Sequence, residues 1–413
     1  MFIFVSNGKL ITLYSLKIMR KKRKTMKKPR MLRTSSLIAI QRQKRKTMQK
    51  TRMLRASSLI AILLFIIQSS PLSAQVTLNS RASELTITGR TQTQFNTTSV
   101  AGEKSSEFLL RRTRLTAEVT VNDLVSGKVQ PDFGGGKISL KDAYLRLSFS
   151  PKFRMTSGQF KRAFDIFELT SSTQILVIER GGDIRGVDSC MGPGTKSICS
   201  YSRFTENLGY SDRDIGVIFD GTLSSRDLSY SFAITNGAGA NKKEATGAKS
   251  FSGRLEIPIA GRFSLSPNFS AHDYLNPVLS KDQHGLAWGA DLEYGSYGSP
   301  GVHLKTGMIF GDNWTKLDSL GKPSTFSSFQ TILSYRKSVP NTTLVEFIEP
   351  LVRVSWGNPD RNISNAGGML STLGFVTHFT GRNKIAINVD TWNPALSSLP
   401  SEFSLKIQTY FHF

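Results

Sequence analysis

The sequence predicts an all-β chain, a transmembrane antiparallel β-barrel of about 16 strands, and three observations carry that expectation. The last residues, Glu402 to Phe413, alternate apolar and polar side chains without a fault and stop on an aromatic residue. Phe403, Leu405, Ile407, Thr409, Phe411 and Phe413 fall on one face, and Ser404, Lys406, Gln408, Tyr410 and His412 on the other, because strand side chains have a period of two. Second, residues 75–413 divide into sixteen such segments bounded by Gly, Asn, Asp, Pro and Ser clusters. Third, no apolar run in that stretch approaches the roughly 20 residues a spanning helix needs. A slightly negative mean hydropathy of −0.19 suits a barrel, in which half of every strand faces water.

The segments begin near Glu84, Phe108, Val125, Ser139, Phe153, Arg213, Asp227, Ser250, Gly261, Leu286, Gly301, Thr325, Thr342, Met369, Asn383 and Glu402. Turns after the even segments read as short, such as Ser224 to Arg226, Ala260-Gly261 and Gly381-Arg382. Connections after the odd ones read as long: Asn96 to Glu107, Gly237 to Lys249, His272 to His284, Asp312 to Ser324 and Gly357 to Gly368. Short periplasmic turns and long external loops leave that pattern. The longest connection, Lys161 to Asp212, is expected to fold into a lumen too wide for wall side chains to fill. One parity of the strands is apolar, with Leu85, Ile87, Leu115, Ala117, Val119, Leu145, Leu147, Phe149, Ile215, Val217, Phe219, Ile385 and Ile387. Trp288, Tyr294, Phe310, Trp356 and Phe413 lie toward strand ends, where aromatic girdles belong. Glu346 to Pro350 breaks the thirteenth segment, and a bulge is expected there because proline donates nothing to the ladder.

The formal charge of +24 would suggest nucleic acid until it is located along the chain. Residues 1–74 hold 18 of the 54 Lys and Arg and none of the 30 acidic residues, which leaves +6 for the remainder. The basic run leads into Leu59-Ile-Ala-Ile-Leu-Leu-Phe-Ile-Ile67 and Ser70-Pro-Leu-Ser-Ala74, the h-region and cleavage site of a secretory signal. Residues 1–74 are therefore expected to be a leader, cut after Ala74, and residues 75–413 one barrel domain in the bacterial outer membrane. Arg30 to Ile40 recurs almost unchanged as Arg52 to Ile62, a local duplication or an early start, with Met48 or Met53 as the expected true start. No nucleic-acid partner is expected.

Cys190 and Cys199, in a polar Gly-rich stretch of an exported chain, read as a local disulfide. They make a poor zinc site, and no metal or cofactor is expected. The five histidines are scattered and lack helix-spaced partners, Phe133 to Lys137 and Gly192 to Lys196 do not fit a phosphate-loop spacing, and no enzyme is expected. What remains is charge on the water-facing parity. The candidate anion contacts are Arg90, Arg112, Arg114, Arg146, Arg154, Arg254, Lys305 and Arg353, with Lys161 where the long loop begins. Lys128, Arg336, Lys384 and Lys406 share the parity, as do Glu118, Asp132, Asp142, Asp214, Glu256, Asp291, Glu293 and Asp390. Arg and Lys in a water-filled pore favour anions, although each could instead pair across strands and pin the loop. Arg112 and Arg114, with Arg146 nearby, form the best local cationic cluster.

Phe108-Leu-Leu-Arg-Arg-Thr-Arg-Leu115, Val129 to Phe133, Leu140-Lys-Asp-Ala-Tyr144, Ser157-Gly-Gln-Phe-Lys161, Ile178-Glu-Arg180, Arg213 to Gly216, Thr235-Asn-Gly237, Gly253 to Leu255 and Thr391-Trp392 resemble, in order, the signatures of the phosphate-selective porin O and P family. The resemblance implies a sixteen-stranded homotrimeric outer-membrane porin with a constriction loop. Its Arg-rich second strand falls on Arg111, Arg112 and Arg114, its Lys-Asp-Ala-Tyr strand on Lys141 to Tyr144, and its Gly-Gln-Phe-Lys motif on Gly158 to Lys161. A dense external lysine cluster is absent, since only Lys242, Lys243 and Lys249 approach one, beside Glu244. The expectation is therefore a passive channel for small hydrophilic solutes and ions, surrounded by outer-membrane lipid, with a mild anion preference that extends to phosphate. The alternative is a structural or adhesive barrel with a blocked lumen.

Overall fold

The computed structural model describes residues 82–413 apart from 181–199, 224–226, 245, 260, 341 and 343. The expected leader, its cleavage site, and both Cys190 and Cys199 lie outside the described residues. Sixteen strands follow in chain order: β1 Glu84–Val100, β2 Glu103–Thr120, β3 Val125–Asp132, β4 Ser139–Ser150, β5 Phe153–Lys161, β6 Arg213–Leu223, β7 Leu228–Thr235, β8 Ser250–Pro258, β9 Phe263–Asn276, β10 Lys281–Tyr294, β11 Gly301–Leu317, β12 Pro323–Ser338, β13 Val345–Asn358, β14 Gly368–Phe379, β15 Lys384–Pro394 and β16 Glu402–His412. Each pairs antiparallel with its chain neighbours, and β1 closes the barrel on β16. At the seam Gly89 N donates to the Phe413 carbonyl at 2.8 Å, and Phe413 N donates back at 3.0 Å.

The faces are inverted relative to a water-soluble protein. Ile87, Leu145, Phe149, Ile387 and Phe411 are exposed on the outside, while Gln92, Gln94, Ser404, Lys406 and Gln408 are buried within. An apolar outer face suits hydrocarbon, and closing the sheet leaves no unpaired edge to desolvate. Among the described residues no helix is long and apolar enough to cross a membrane; the strands form the wall.

The expected alternation of long and short connections does not hold. The segment expected as a loop from Asn96 to Glu107 is strand, with β1 and β2 joined by Ala101-Gly102 alone. Both turn residues have positive φ, 50° and 87°, as a type I′ hairpin requires. Likewise β9 and β10 run on to Asn276 and from Lys281, and β11 and β12 to Leu317 and from Pro323, through segments expected as loops. The physical reason is that apolar alternation marks only the part of a strand that meets lipid. Beyond it the ladder continues with polar residues on both faces, as in Thr98 and Ser105, whose hydroxyls pair at 2.7 Å. The connection over 236–249 is long as expected, and the segment expected from Gly357 to Gly368 shortens to 359–367.

Three local departures from strict alternation position the inner face. In β2, Gln92 faces Arg112 and Thr93 faces Leu110, so Arg111 is an extra, bulged residue. That bulge brings the consecutive Arg111 and Arg112 to one side. In β13 the register shifts between Val345 and Phe347, within the stretch Glu346 to Pro350 where a bulge was expected, while Glu349 keeps the inward parity of Leu351 and Arg353. In β5, Gly158 lies opposite Gly216 of β6. Gly158 has φ +134°, and a Cβ there would meet the Ala143 carbonyl oxygen at 2.2 Å, so only glycine fits. Past this pair both faces of β5 become buried, Gln159 and Phe160 alike, as the chain leaves the wall.

The departing segment, loop 3, carries two short helices, α1 Ile166–Leu169 and α2 Tyr201–Asn207. Asp165 caps α1, its Oδ1 accepting from Phe167 N at 2.8 Å. Phe164, Phe167, Ile178, Tyr201, Phe204 and Tyr210 of the loop share one apolar cluster with Ile309, Phe326, Ile332, Leu351 and Val376 of the strands.

Candidate functional site

The water-facing parity and loop 3 together build a polar interior in which cations occur in two settings. In the first, they are locked. Arg353 donates from Nη1 to the carbonyls of Glu179 and Arg180 at 2.8 and 2.9 Å, from Nε to Thr372 Oγ1 at 2.9 Å, and from Nη2 to Asp390 Oδ1 at 3.1 Å. Lys406 donates to the other oxygen of Asp390, and Lys384 donates to the Ile175 carbonyl at 2.7 Å. Arg353, Lys384 and Lys406 are essentially inaccessible to solvent, at 0–1 % exposure. Glu179 of the loop sits between Arg111, which grips both of its oxygens, and Arg112, 3.7 Å away. Burial alone would raise the Glu179 carboxyl, but the Arg111 and Arg112 guanidiniums hold it well below the usual range.

In the second setting, cations border open space. A cavity of about 510 Å³ lies toward the end of the barrel that holds the chain's carboxy terminus, lined among others by Arg90, Arg114, Lys128, Lys161, Arg213 and Arg382. Glu118 and Asp142 are the acidic residues of its lining. Arg90 Nη2 and Arg114 Nη1 both donate to Ser172 Oγ of loop 3, at 2.8 and 3.1 Å. Arg114 also pairs with Asp132 at 2.7 Å, Arg213 with Asp142 at 2.6 Å, and Lys128 with Glu118 at 2.9 Å. Lys161 Nζ reaches the Thr170 carbonyl at 3.3 Å. The carboxylates neutralise part of the charge, and the lining keeps a cationic excess.

Of the residues singled out in the sequence, Arg90, Arg114 and Lys161 meet at this cavity. Arg112 does not; it is buried with Nη1 donating to Gln92 Oε1 at 2.9 Å. Arg146 bonds Thr156 Oγ1 at 3.0 Å and lies over the Tyr144 ring, Arg154 pairs with Asp220, and Arg254 with Asp291. Lys305 bridges Glu293 at 2.5 Å and Thr170 Oγ1 at 3.1 Å. Sequence reasoning missed Arg213 because alternation fails past the Gly158/Gly216 pair, and those two glycines were the available signal. It also missed Glu349, which is fully buried and accepts from Arg336 Nε and Nη2 at 2.9 and 2.7 Å and from Ser334 Oγ at 2.7 Å. His378 Nε2 and His303 Nδ1 lie 2.8 and 3.3 Å from the same carboxylate. Among the described residues no group of three or more His, Cys, Asp or Glu is arranged to hold a metal.

A closed sixteen-strand barrel with an apolar exterior and a charged inner face defines an outer-membrane channel protein. The family model described as phosphate-selective porin O and P matches residues 85–262, from β1 through the turn after β8, and with this fold it places the chain among the outer-membrane porins. Solved structures of like fold include the outer membrane channel DcaP of Acinetobacter baumannii, 12% identical over 80% of this chain and 97% of that one with a TM-score of 0.55. The anion-selective porin from Comamonas acidovorans is 12% identical over 80% and 99%, TM-score 0.53. Salmonella typhi OmpF is 12% identical over 81% and 98%, TM-score 0.52. No curated protein matches the chain.

Proposed function

We propose that this porin is a passive diffusion channel for small hydrophilic solutes and ions, with a mild preference for anions that includes phosphate. One observation carries the reading: six Lys and Arg side chains line the cavity of about 510 Å³, and Asp132, Asp142, Glu118 and Glu168 pair with four of them, which leaves Arg90 and Arg382 in excess among the described residues. Guanidinium and ammonium groups replace part of an anion's hydration there, while their partial pairing keeps any single site weak enough to release it. The name of the anion-selective Comamonas porin agrees with this reading. Loop 3 is the constriction, since its described residues bond to the wall through Ser172, Thr170, Ile175 and Glu179.

The working assembly is a homotrimer in outer-membrane lipid. β3 and β7 have 8 residues and β5 and β8 have 9, at or below the roughly 9–11 a tilted strand needs to cross hydrocarbon, so that wall suits a neighbouring protomer better than lipid. Export under a leader cut after Ala74 follows from the basic, apolar and small-residue order of residues 48–74. The zero-current potential of refolded protein in a planar bilayer under a KCl gradient, repeated with phosphate on one side, tests the channel. The expected result is a potential of the sign for anion flow, with chloride current reduced by phosphate. A cation-signed potential would overturn the preference. Absence of conductance would select a structural barrel with a blocked lumen, which the near-complete burial of Arg353, Lys384 and Lys406 also suits.

A further inference from the structure

Loop 3 reaches the cationic cavity with a tight turn over Ser171-Ser172-Thr173-Gln174, in which Gln174 N donates to the Ser171 carbonyl at 2.8 Å. Ser171, Ser172 and Thr173 all line that cavity. From β1 and β2, Arg90 and Arg114 hold Ser172 Oγ, and Gln92 Nε2 donates to the Ser172 carbonyl at 3.3 Å. From across the barrel comes Tyr297, in the turn between β10 and β11 at the same end, whose hydroxyl donates to the Thr173 carbonyl at 3.3 Å. A bond of that length is weak, so the ring rather than the hydroxyl carries the contact. Tyr297 and Gln174 border both a cavity of about 190 Å³ beside β10–β12 and one of about 370 Å³, which in turn shares Thr173 and Arg382 with the cationic cavity. The ring thus stands between two spaces under the tip of the loop.

What backs the ring is the buried cluster around Glu349. Arg336 lies with its guanidinium carbon 4.7 Å from the centre of the Tyr297 ring and 5.7 Å from that of Phe347, within cation–π reach of both. Two bonds to Glu349 Oε2 fix that guanidinium, and Ser334, His303 and His378 fix Glu349 in turn. None of Arg336, Glu349, His303 and His378 lines the cationic cavity. A buried charge cluster of this kind adds little stability over apolar packing, which leaves the fixing of one geometry as its use. We propose that Glu349, Arg336 and Tyr297 form a brace across the barrel, with Tyr297 the positioning residue that sets where the 171–174 turn stands over the cationic cavity. Without the ring, the spaces of 190 and 370 Å³ join beneath the turn. The effect on conduction rests on the channel reading above; the position of the turn does not.

A nitroxide attached at Gln174→Cys, an exposed position, reads the turn directly in the refolded full-length barrel carrying Cys190→Ser and Cys199→Ser. Single-channel conductance in a planar bilayer reads the consequence. Tyr297→Ala is expected to shift the label's spectrum to that of a mobile loop and to raise conductance about 1.5-fold, the ratio in which 190 Å³ enlarges 370 Å³, with added open-channel noise. Tyr297→Phe keeps the ring and loses the long bond, and should give the smaller part of both changes. Arg336→Lys keeps the charge on Glu349 and loses the planar group over the ring. It should loosen the label to an intermediate degree, and it keeps the test open where Tyr297→Ala does not refold. Unchanged label mobility in a folded Tyr297→Ala or Arg336→Lys barrel would overturn the brace whatever the conductance, and equal effects of Ala and Phe would overturn the part given to the ring. A label loosened by Tyr297→Ala in a barrel whose wild type passes no current would keep the brace and remove the channel reading.

Discussion

Arg353 and Arg90 occupy the same parity of the same barrel, yet their surroundings differ in access to water. Arg353 bonds through all three of its guanidinium nitrogens to Asp390, Thr372 and two loop carbonyls, with 1 % of its surface exposed. Arg90 holds Ser172 and borders a cavity large enough for a hydrated ion. Charge on a barrel's inner face therefore has two uses that sequence parity does not separate. Locked cations fasten loop 3 to the wall, and cavity cations remain available to a permeant.

The largest expected effect comes from breaking a locked pair. Asp390→Leu would leave Arg353 and Lys406 buried without their counter-charge, at a cost of about 3–5 kcal/mol. Urea midpoints of the refolded barrel would read it. Replacing Arg353, Asp390 and Lys406 together with apolar residues of similar volume is expected to recover most of the loss, because no unpaired charge remains. An unchanged midpoint in the single variant would mean that the locked setting is not distinct.

Asp165 is a carboxylate in a third condition, buried with no cation paired to it among the described residues. Its Oδ2 accepts from Thr205 Oγ1 at 2.6 Å, and Glu168 and the Arg254-paired Asp291 are the nearby acids. Burial pushes its carboxyl up to about 7 from the ordinary 3.8, despite the Thr205 hydrogen bond. Between those two values the folded chain holds a proton that the unfolded chain has released, so stability falls as pH rises from about 4 to about 7 and then levels. At about 1.36 kcal/mol per unit the difference is at most about 4 kcal/mol. Asp165→Asn should flatten this profile and stabilise the barrel most at pH 8. A variant less stable than wild type at pH 8 and equal at pH 5 would reverse the sign and refute the account.

At the cavity the expected change is in selectivity. Lys128→Glu with Arg382→Glu places two negative charges in the lining while leaving Arg353 and Asp390 untouched. The ratio of anion to cation permeability should fall about tenfold or more, equivalent to about 1.4 kcal/mol, with the zero-current potential moving toward the cation sign. Arg112→Glu, by contrast, should prevent folding, since Arg112 is 4 % exposed and faces Glu179.

The barrel itself was legible because lipid on one side and water on the other impose a period of two, and all sixteen strands left that trace. Strand ends were not, because the trace stops where the lipid stops, as at Thr98 and Ser105. The site was legible by half. Arg90, Arg114 and Lys161 follow from parity and motif, whereas Arg213 and Arg111 reach the interior only through a glycine pair and a bulge. Glu349 with His303 and His378 comes from three strands that are distant in sequence, and nothing local in any of them marks the meeting.

The smallest effect is expected at Arg154, and it sets the boundary of the comparison. Arg154 reaches one oxygen of Asp220 with both Nε and Nη2, the same two-nitrogen grip that the buried Arg336 has on Glu349. Its side chain is 38 % exposed, however, near the short turn between β4 and β5. Solvent screens such a pair, and the side chains lose rotamer freedom in making it, so its worth is about 0.2–1 kcal/mol. A double-mutant cycle of Arg154→Ala and Asp220→Ala isolates the coupling from the loss of either side chain alone. If water access is what divides the two settings, this coupling falls below about 1 kcal/mol and conductance is unaltered. A coupling of several kcal/mol would show that the two-nitrogen grip decides instead, and Arg154 would then belong with Arg336.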